Sequence, residues 1–174
     1  MADAKKSGWI ELFTGGDLDN FNTLGDADWQ LIDNYVESDG NKGLFFVTKE
    51  SFTDFRLTLE FFPSSDVNSG VFMRCEGPTQ IANETCYELN IMDEHPNRLN
   101  STGSIINLAP PLVEIETGGH WNSFDITVQG TRITIYLNDT LVVDFENSSF
   151  SSGPIGFQAN GGLIRFRDIR IQPL

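Results

Sequence analysis

The sequence predicts an all-β sandwich or barrel, on three observations. Turn-forming clusters recur along the chain, at Gly15-Gly16-Asp17, Ser38-Asp39-Gly40-Asn41, Pro63-Ser64-Ser65-Asp66, Gly118-Gly119 and Ser151-Ser152-Gly153-Pro154. Between them lie short runs in which apolar and polar residues alternate, the pattern of a strand with one face in a core. No window of a dozen residues carries the three-to-four-residue spacing of a helix. Regularly spaced short strands with turn signals belong to sandwiches and barrels.

Taken in order, the clearest strand is Phe55 to Phe61, with Phe55, Leu57, Leu59 and Phe61 on one face and Arg56, Thr58 and Glu60 on the other. Further strands are expected at Gly70 to Arg74, Cys86 to Met92, Phe124 to Gln129, Arg132 to Leu137, Leu141 to Phe145, Gly156 to Gln158 and Leu163 to Ile171. Gln129-Gly130-Thr131-Arg132 and Asn138-Asp139 mark two tight hairpins, and a third hairpin is expected between the strand at Glu60 and the strand at Arg74. The first seven residues are expected to fray.

The chain has 174 residues, 39% of them apolar and 14 of them Phe, enough for one domain over residues 1–174 with a real core. Eleven basic residues against 25 acidic ones give a net charge of −14. That balance excludes a nucleic-acid binder working through backbone phosphates and argues against docking on anionic lipid. It leaves neutral sugars, cations and cationic partners open. No apolar run reaches bilayer-spanning length, and Met1 to Lys6 carry no cleavable leader. The chain is therefore cytosolic as written, or exported with its leader already gone. Cys75 and Cys86 are too few for a disulfide framework or a cysteine-based zinc site; one bridge between them stays open beside two free thiols.

If the strands at Glu60, Arg74 and Glu88 form a meander, alternation puts Glu60, Arg74, Glu88 and Asn90 on one face. The outer two strands are then about 9.6 Å apart, with a guanidinium between two carboxylates. A carboxylate pair across a groove suits acid–base work on a sugar, and arginine orients a carbonyl or an oxyanion. The alternative is a solvated face with a structural ion pair. His95, in the polar run Asp93-Glu94-His95-Pro96, is a candidate base or ligand beside the alternative of an ordinary exposed residue; Asp93 is a candidate for orienting a substrate or a neighbouring side chain. There is no phosphate-cradling loop, no Gly-x-Ser-x-Gly elbow and no twelve-residue calcium loop. No cofactor is expected, and a structural calcium held by loop carbonyls and Asp side chains is the one metal left open.

Several segments, read in order, carry a resemblance. They begin with Gly8-Trp9-Ile10-Glu11-Leu12-Phe13 and Phe52-Thr53-Asp54-Phe55-Arg56-Leu57. The strongest are Asn68-Ser69-Gly70-Val71-Phe72-Met73-Arg74 and Cys86-Tyr87-Glu88-Leu89-Asn90-Ile91-Met92-Asp93. They close with Gly153-Pro154-Ile155-Gly156-Phe157-Gln158 and Arg165-Phe166-Arg167-Asp168-Ile169-Arg170-Ile171. In this order they resemble the 3-keto-disaccharide hydrolase domain family over nearly the whole chain. The resemblance implies a concanavalin A-like jelly-roll sandwich of two antiparallel sheets with a concave groove. It implies cleavage of 3-oxo-glycosides by elimination and hydration, with an oxidised glycoside as partner. Glu60 and Glu88 would be base and acid, Arg74 would stabilise oxyanion charge, and Asn68, Asn90, Asp93, His95 and Asn160 would bind the sugar. A bacterial exported protein, periplasmic or extracellular, is implied as well. Asn160 stands where many members carry His, and Ile106 where many carry Tyr. The Glu-x-Asp-x-x-Glu run of laminarinase-type glucanases is missing. Two other functions fit the same fold: a non-catalytic carbohydrate-binding module and a laminin-G-like interaction domain.

Overall fold

The computed structural model describes residues 8–25, 28–39 and 44–174, and the fraying expected of residues 1–7 lies outside them. Thirteen strands follow in chain order: β1 (Ile10–Phe13), β2 (Phe21–Leu24), β3 (Gln30–Ile32), β4 (Tyr35–Ser38), β5 (Leu44–Thr48), β6 (Phe55–Pro63), β7 (Ser69–Met73), β8 (Tyr87–Ile91), β9 (Asn122–Gln129), β10 (Arg132–Leu137), β11 (Thr140–Glu146), β12 (Gly156–Ala159) and β13 (Ile164–Pro173). Arg98–Asn100 forms one short 3-10 turn. The eight strands expected from alternation are all present. Strands β1 to β5, which the sequence pattern did not single out, are three to five residues long.

The strands form two antiparallel sheets, the layers of a jelly-roll sandwich. One runs β11-β10-β9-β6-β13-β4-β3, with β1 added beside β13; the other runs β2-β5-β12-β7-β8. Alternation decides what each strand buries. Phe55, Leu57, Leu59 and Phe61 of β6 lie within the main core, as do Val71 and Met73 of β7 and Tyr87, Leu89 and Ile91 of β8. An aromatic cluster joins the layers: Phe46 stacks on Phe157 at 4.7 Å and 7°, and Phe166 meets Phe157 edge-on at 5.4 Å from the opposite sheet. Such pairs add about 0.5–1.5 kcal/mol each beyond the area they bury.

Both marked hairpins are present. Gly130 has φ +57° between β9 and β10, and Asn138 and Asp139 have φ +49° and +62° between β10 and β11, the left-handed pair of a two-residue turn. The third is a correction. β6 pairs with β13 and β9, never with β7, which pairs with β8 and β12. Residues 64–67 carry the chain across from one sheet to the other, and residues 160–163 carry it back alongside. Asn68 bridges Asn160, and Ser64 N–H donates to Leu163 O. The two crossings pack so closely that a Cβ on Gly162 (φ +75°) would lie 2.7 Å from Val67 Cα.

Phe157→Ala removes the ring shared by both layers. It is expected to lower unfolding stability by about 3–5 kcal/mol in urea titration, with the strand signal of the folded state unchanged.

Candidate functional site

The outer face of the five-stranded sheet is built by the same alternation. Core-facing Val71, Met73, Tyr87, Leu89 and Ile91 turn Phe72, Glu88 and Asn90 outward. Cross-strand register sets Glu88 opposite Phe72 and Asn90 opposite Gly70, with Gly156 opposite Phe72 on the next strand. Gly70 keeps the floor low between them: a Cβ there would meet Leu89 O at 3.0 Å and the Glu88 side chain at 3.5 Å.

A polar pocket of about 250 Å³ opens on this face. Asn68, Glu88 and Asn90 come from the sheet region, Asn83 from the loop before β8, and His95, Asn100, Ile106 and Asn107 from the segment after it. That segment lies against β8 as an added edge, with Asn90 N–H donating to Ser104 O and Ile106 N–H to Glu88 O. Asn90 is 1% exposed and its amide donates to Asn100 O at 2.6 Å. Asn100 in turn accepts from Asn107 N–H at 3.1 Å. His95 Nδ1 sits within 3.0 Å of Asn97 backbone atoms, and Nε2 has no partner within the described residues. Glu88 is half-buried and forms no ion pair among the described residues; burial, with a smaller push from the Glu84 carboxylate, raises its pKa to about 7.

Of the residues expected from the sequence, Asn68, Glu88, Asn90 and His95 meet in this pocket, and Asn160 bridges Asn68 beside it. Three others do not, which corrects the shared-face expectation. Glu60 lies on the other sheet, facing away from the core, and accepts from Arg167 at 2.7 Å while Arg167 stacks on Trp121 at 3.9 Å. Arg74 is 2% exposed. Its φ of +51° turns it out of the β7 ladder, and its guanidinium donates to Thr53 O, Gly130 O, Phe150 O and Asp54 Oδ1. It ties loops together beneath the sandwich edge. Asp93 faces a separate cleft of about 400 Å³. Its carboxylate accepts from Thr102 Oγ1, Thr117 Oγ1, Thr117 N–H and Gly118 N–H, so it anchors the segment that walls the pocket. Asn83, Asn100 and Asn107 were not foreseen; the one signal was the run of asparagines Asn97, Asn100 and Asn107 after β8, and Asn83 had none.

A larger cleft of about 690 Å³ lies among Ile10, Leu12, Phe52, Pro173 and Leu174. Its Asp54, Asn20 and Thr48 side chains are already bonded within the protein, while Asp19, Lys49, Glu50 and Ser51 complete its polar rim. Cys75 and Cys86 form a disulfide. Among the described residues, no three His, Cys, Asp or Glu side chains converge as a metal site, and no helix is long and apolar enough to cross a membrane.

Comparison with known proteins agrees with this architecture. Residues 8–172 match the 3-keto-alpha-glucoside-1,2-lyase-like domain. Two proposed glycosyl hydrolases of Parabacteroides distasonis superpose with TM-scores of 0.83 and 0.80. The first is 19% identical, covering 96% of this chain and 94% of its own; the second is 24% identical, covering 95% and 99%. The carbohydrate-binding module CBM66 of Bacillus subtilis superposes at 0.66 with 17% identity, over 87% of this chain and 94% of the module. A search of curated proteins finds no match.

Two stability outcomes follow from the geometry. Arg74→Met leaves three carbonyls and Asp54 without their donor, and is expected to cost about 3 kcal/mol in urea titration. For Glu88 the folded pKa of about 7 lies above the ordinary value of 4.5, so the folded state holds the extra proton between those values. The Glu88 contribution to stability therefore falls as pH rises from about 4.5 to 7 and is level beyond. Glu88→Gln lacks this fall. It is expected to exceed wild type by at most about 3 kcal/mol at pH 8 and to match it at pH 4, in melts across pH.

Proposed function

We propose that this chain, which belongs to the 3-keto-alpha-glucoside-1,2-lyase-like domain family, holds a 3-oxo-glycoside in the polar pocket beside β8 and cleaves it by proton abstraction and elimination. The observation that carries the reading is Glu88. It is a carboxyl raised to about 7, free of any ion pair, in a pocket walled by amides and a histidine. A ketone at C3 acidifies the proton on C2, and a base poised near neutrality is suited to remove it.

In the proposed sequence Glu88 takes the C2 proton, and the electron pair of that bond forms an enolate whose charge rests on O3. The Asn68 amide, which donates to nothing else among the described residues, stabilises that charge. The enolate then re-forms the ketone and expels the group on C1, giving a 1,2-unsaturated ketone. His95, held at Nδ1 by the Asn97 backbone, supplies a proton from Nε2 to the leaving oxygen. Addition of water at C1 with return of the proton to C2 makes the net change a hydrolysis. The steps are proton transfers and call on no redox cofactor. Glu60 and Arg74 take no part, since each is engaged away from the pocket. The Cys75–Cys86 bond supports an exported bacterial protein, because such bonds persist in oxidising compartments.

The test sets a 3-oxo-disaccharide beside its unoxidised parent. The oxidised sugar alone is expected to be consumed, with C2 exchanging deuterium from the solvent. Glu88→Gln is expected to slow both by roughly 10²–10⁴-fold. The wild-type rate is expected to rise with pH through about 7, as Glu88 ionises. Full turnover by Glu88→Gln overturns the assignment. Saturable binding with neither exchange nor product makes the chain a carbohydrate-binding module instead.

A further inference from the structure

The loop that carries Asn83 is fastened in an unusual way. Arg74 leaves the β7 ladder at φ +51°, so the strand pairing ends at Met73–Tyr87, although the two chains stay side by side, 4.3 Å apart at the Cα atoms of Cys75 and Cys86. They then share one backbone hydrogen bond, Glu76 N–H to Thr85 O at 3.0 Å, and the Cys75–Cys86 disulfide, which closes residues 76–85 into a ring. Cys75 is fixed in turn. It is 1% exposed, its N–H donates to Pro154 O, and it abuts Gly153 so tightly that a Cβ there would overlap Cys75 O at 1.8 Å. From this base the loop folds over the outer face. Ile81 and Phe45 pack against a cluster, separate from the main core, of Phe72 and both cysteines. The loop's own hydrogen bonds, Gln80 N–H to Gly77 O, Thr85 N–H to Ala82 O and Thr85 Oγ1 to Gln80 O and Ala82 O, shape it but do not tie it to the sheet. Asn83 lines the pocket with Glu88 and Asn68, and its side chain has no partner among the described residues.

We propose that Asn83 contacts the sugar and that the Cys75–Cys86 bond is the positioning device that holds it there. The inference rests on the carbohydrate reading of the pocket and assigns that site a removable wall. With the bond closed, Asn83 lines the pocket together with His95, Asn100, Ile106 and Asn107 of the 95–107 segment. A dithiol opens the bond by giving the cystine two electrons and two protons and closing to its own cyclic disulfide. The loop then keeps one hydrogen bond at its base and the Ile81 contact on the face, and Asn83 no longer has a fixed place beside Glu88.

The experiment compares kcat/KM on methyl 3-oxo-α-glucoside for wild type, Asn83→Ala, Cys75→Ser with Cys86→Ser, and the three changes together. Asn83→Ala and the double cysteine variant are each expected to lose roughly tenfold, mainly in KM, the size of one hydrogen bond to the sugar. The triple variant is expected to be no worse than the double, because an unheld Asn83 has nothing left to lose. Dithiol-treated wild type is expected to match the double variant, which guards against a folding defect of the serine substitutions. Glu84 and His95 are the titratable groups that face Glu88. Opening the loop moves Glu84 off, so the Glu88 midpoint, followed by carbon NMR of its carboxyl, is expected to fall. A double variant with wild-type kcat/KM and an unmoved midpoint, or losses that simply add in the triple variant, overturns the proposal and leaves the enzyme reading standing. If wild type neither binds nor turns over the sugar, the enzyme reading and the Asn83 contact fall together. A shift of the Glu88 midpoint on opening would then still report the loop's hold on the pocket.

Discussion

The stack of Phe46 on Phe157, met edge-on by Phe166 from the other layer, is the contact on which the rest of the structure depends. It does more than bury area. Side chains alternate along a strand, so a slip of one residue exchanges the two faces of a sheet. By fixing Phe157 inward, the stack fixes Gln158 outward on β12. Register then passes through Phe157–Val71 and Val71–Leu89 to Glu88 and Asn90 on β8. A polar pocket on the open face is the consequence of an apolar decision made on the closed one.

The two outer faces then diverge in chemistry. On the eight-stranded sheet, Arg56, Arg132, Arg165 and Arg167 each meet a carboxylate: Asp125, Asp144, Glu37 and Glu60. Exposed pairs of this kind add at most about 1 kcal/mol apiece, but they leave that face electrically satisfied. The polar groups lining the pocket on the five-stranded sheet are amides, one histidine and one carboxyl, with no cation among them. Several of these groups have no internal partner. A molecule rich in hydroxyls finds donors and acceptors waiting on one face and already occupied on the other.

Alternation made most of the fold legible. Strands β6, β9 and β10 read clearly because each buries one face, whereas β7 is buried on both. Strand β5 was not legible, since Phe45, Phe46 and Val47 are consecutive apolar residues: the core takes Phe46, and Phe45 packs on the outer cluster of Phe72 and the disulfide. The periodicity of a strand reports which face a residue takes but not which sheet the strand joins. Pro63-Ser64-Ser65-Asp66 looks like a hairpin turn, yet it is a crossing between layers, and so Glu60 was grouped with Glu88. Arg74 misled for a different reason. At a strand end it appears exposed by parity, and only its left-handed backbone reveals that it turns inward. Glu88 and Asn90 were legible from alternation along β8 and His95 from the polar run that follows it, whereas Asn68 came from the family resemblance alone. Asn83, Asn100 and Asn107 sit on loops whose paths depend on a disulfide and on the Asp93 anchor, neither of which periodicity encodes.

The loss of Glu60 from the site changes the chemistry worth considering. Ordinary glycoside hydrolysis places two carboxyls on either side of the bond, about 5–5.5 Å apart for retention and about 6.5–9.5 Å for inversion. Glu88 is the one carboxyl in the pocket lining, and Glu84, exposed on the loop, acts on it from outside. A lone acid cannot both protonate a leaving group and activate an opposed water. It can take a proton from carbon if the substrate supplies its own activation, as a ketone beside the C–H bond does. A single carboxyl raised near neutrality by burial is therefore a poor fit to hydrolysis of an unmodified sugar and a good fit to elimination from an oxidised one. On the proposed function, the second acid is unnecessary because its work has been transferred to the carbonyl.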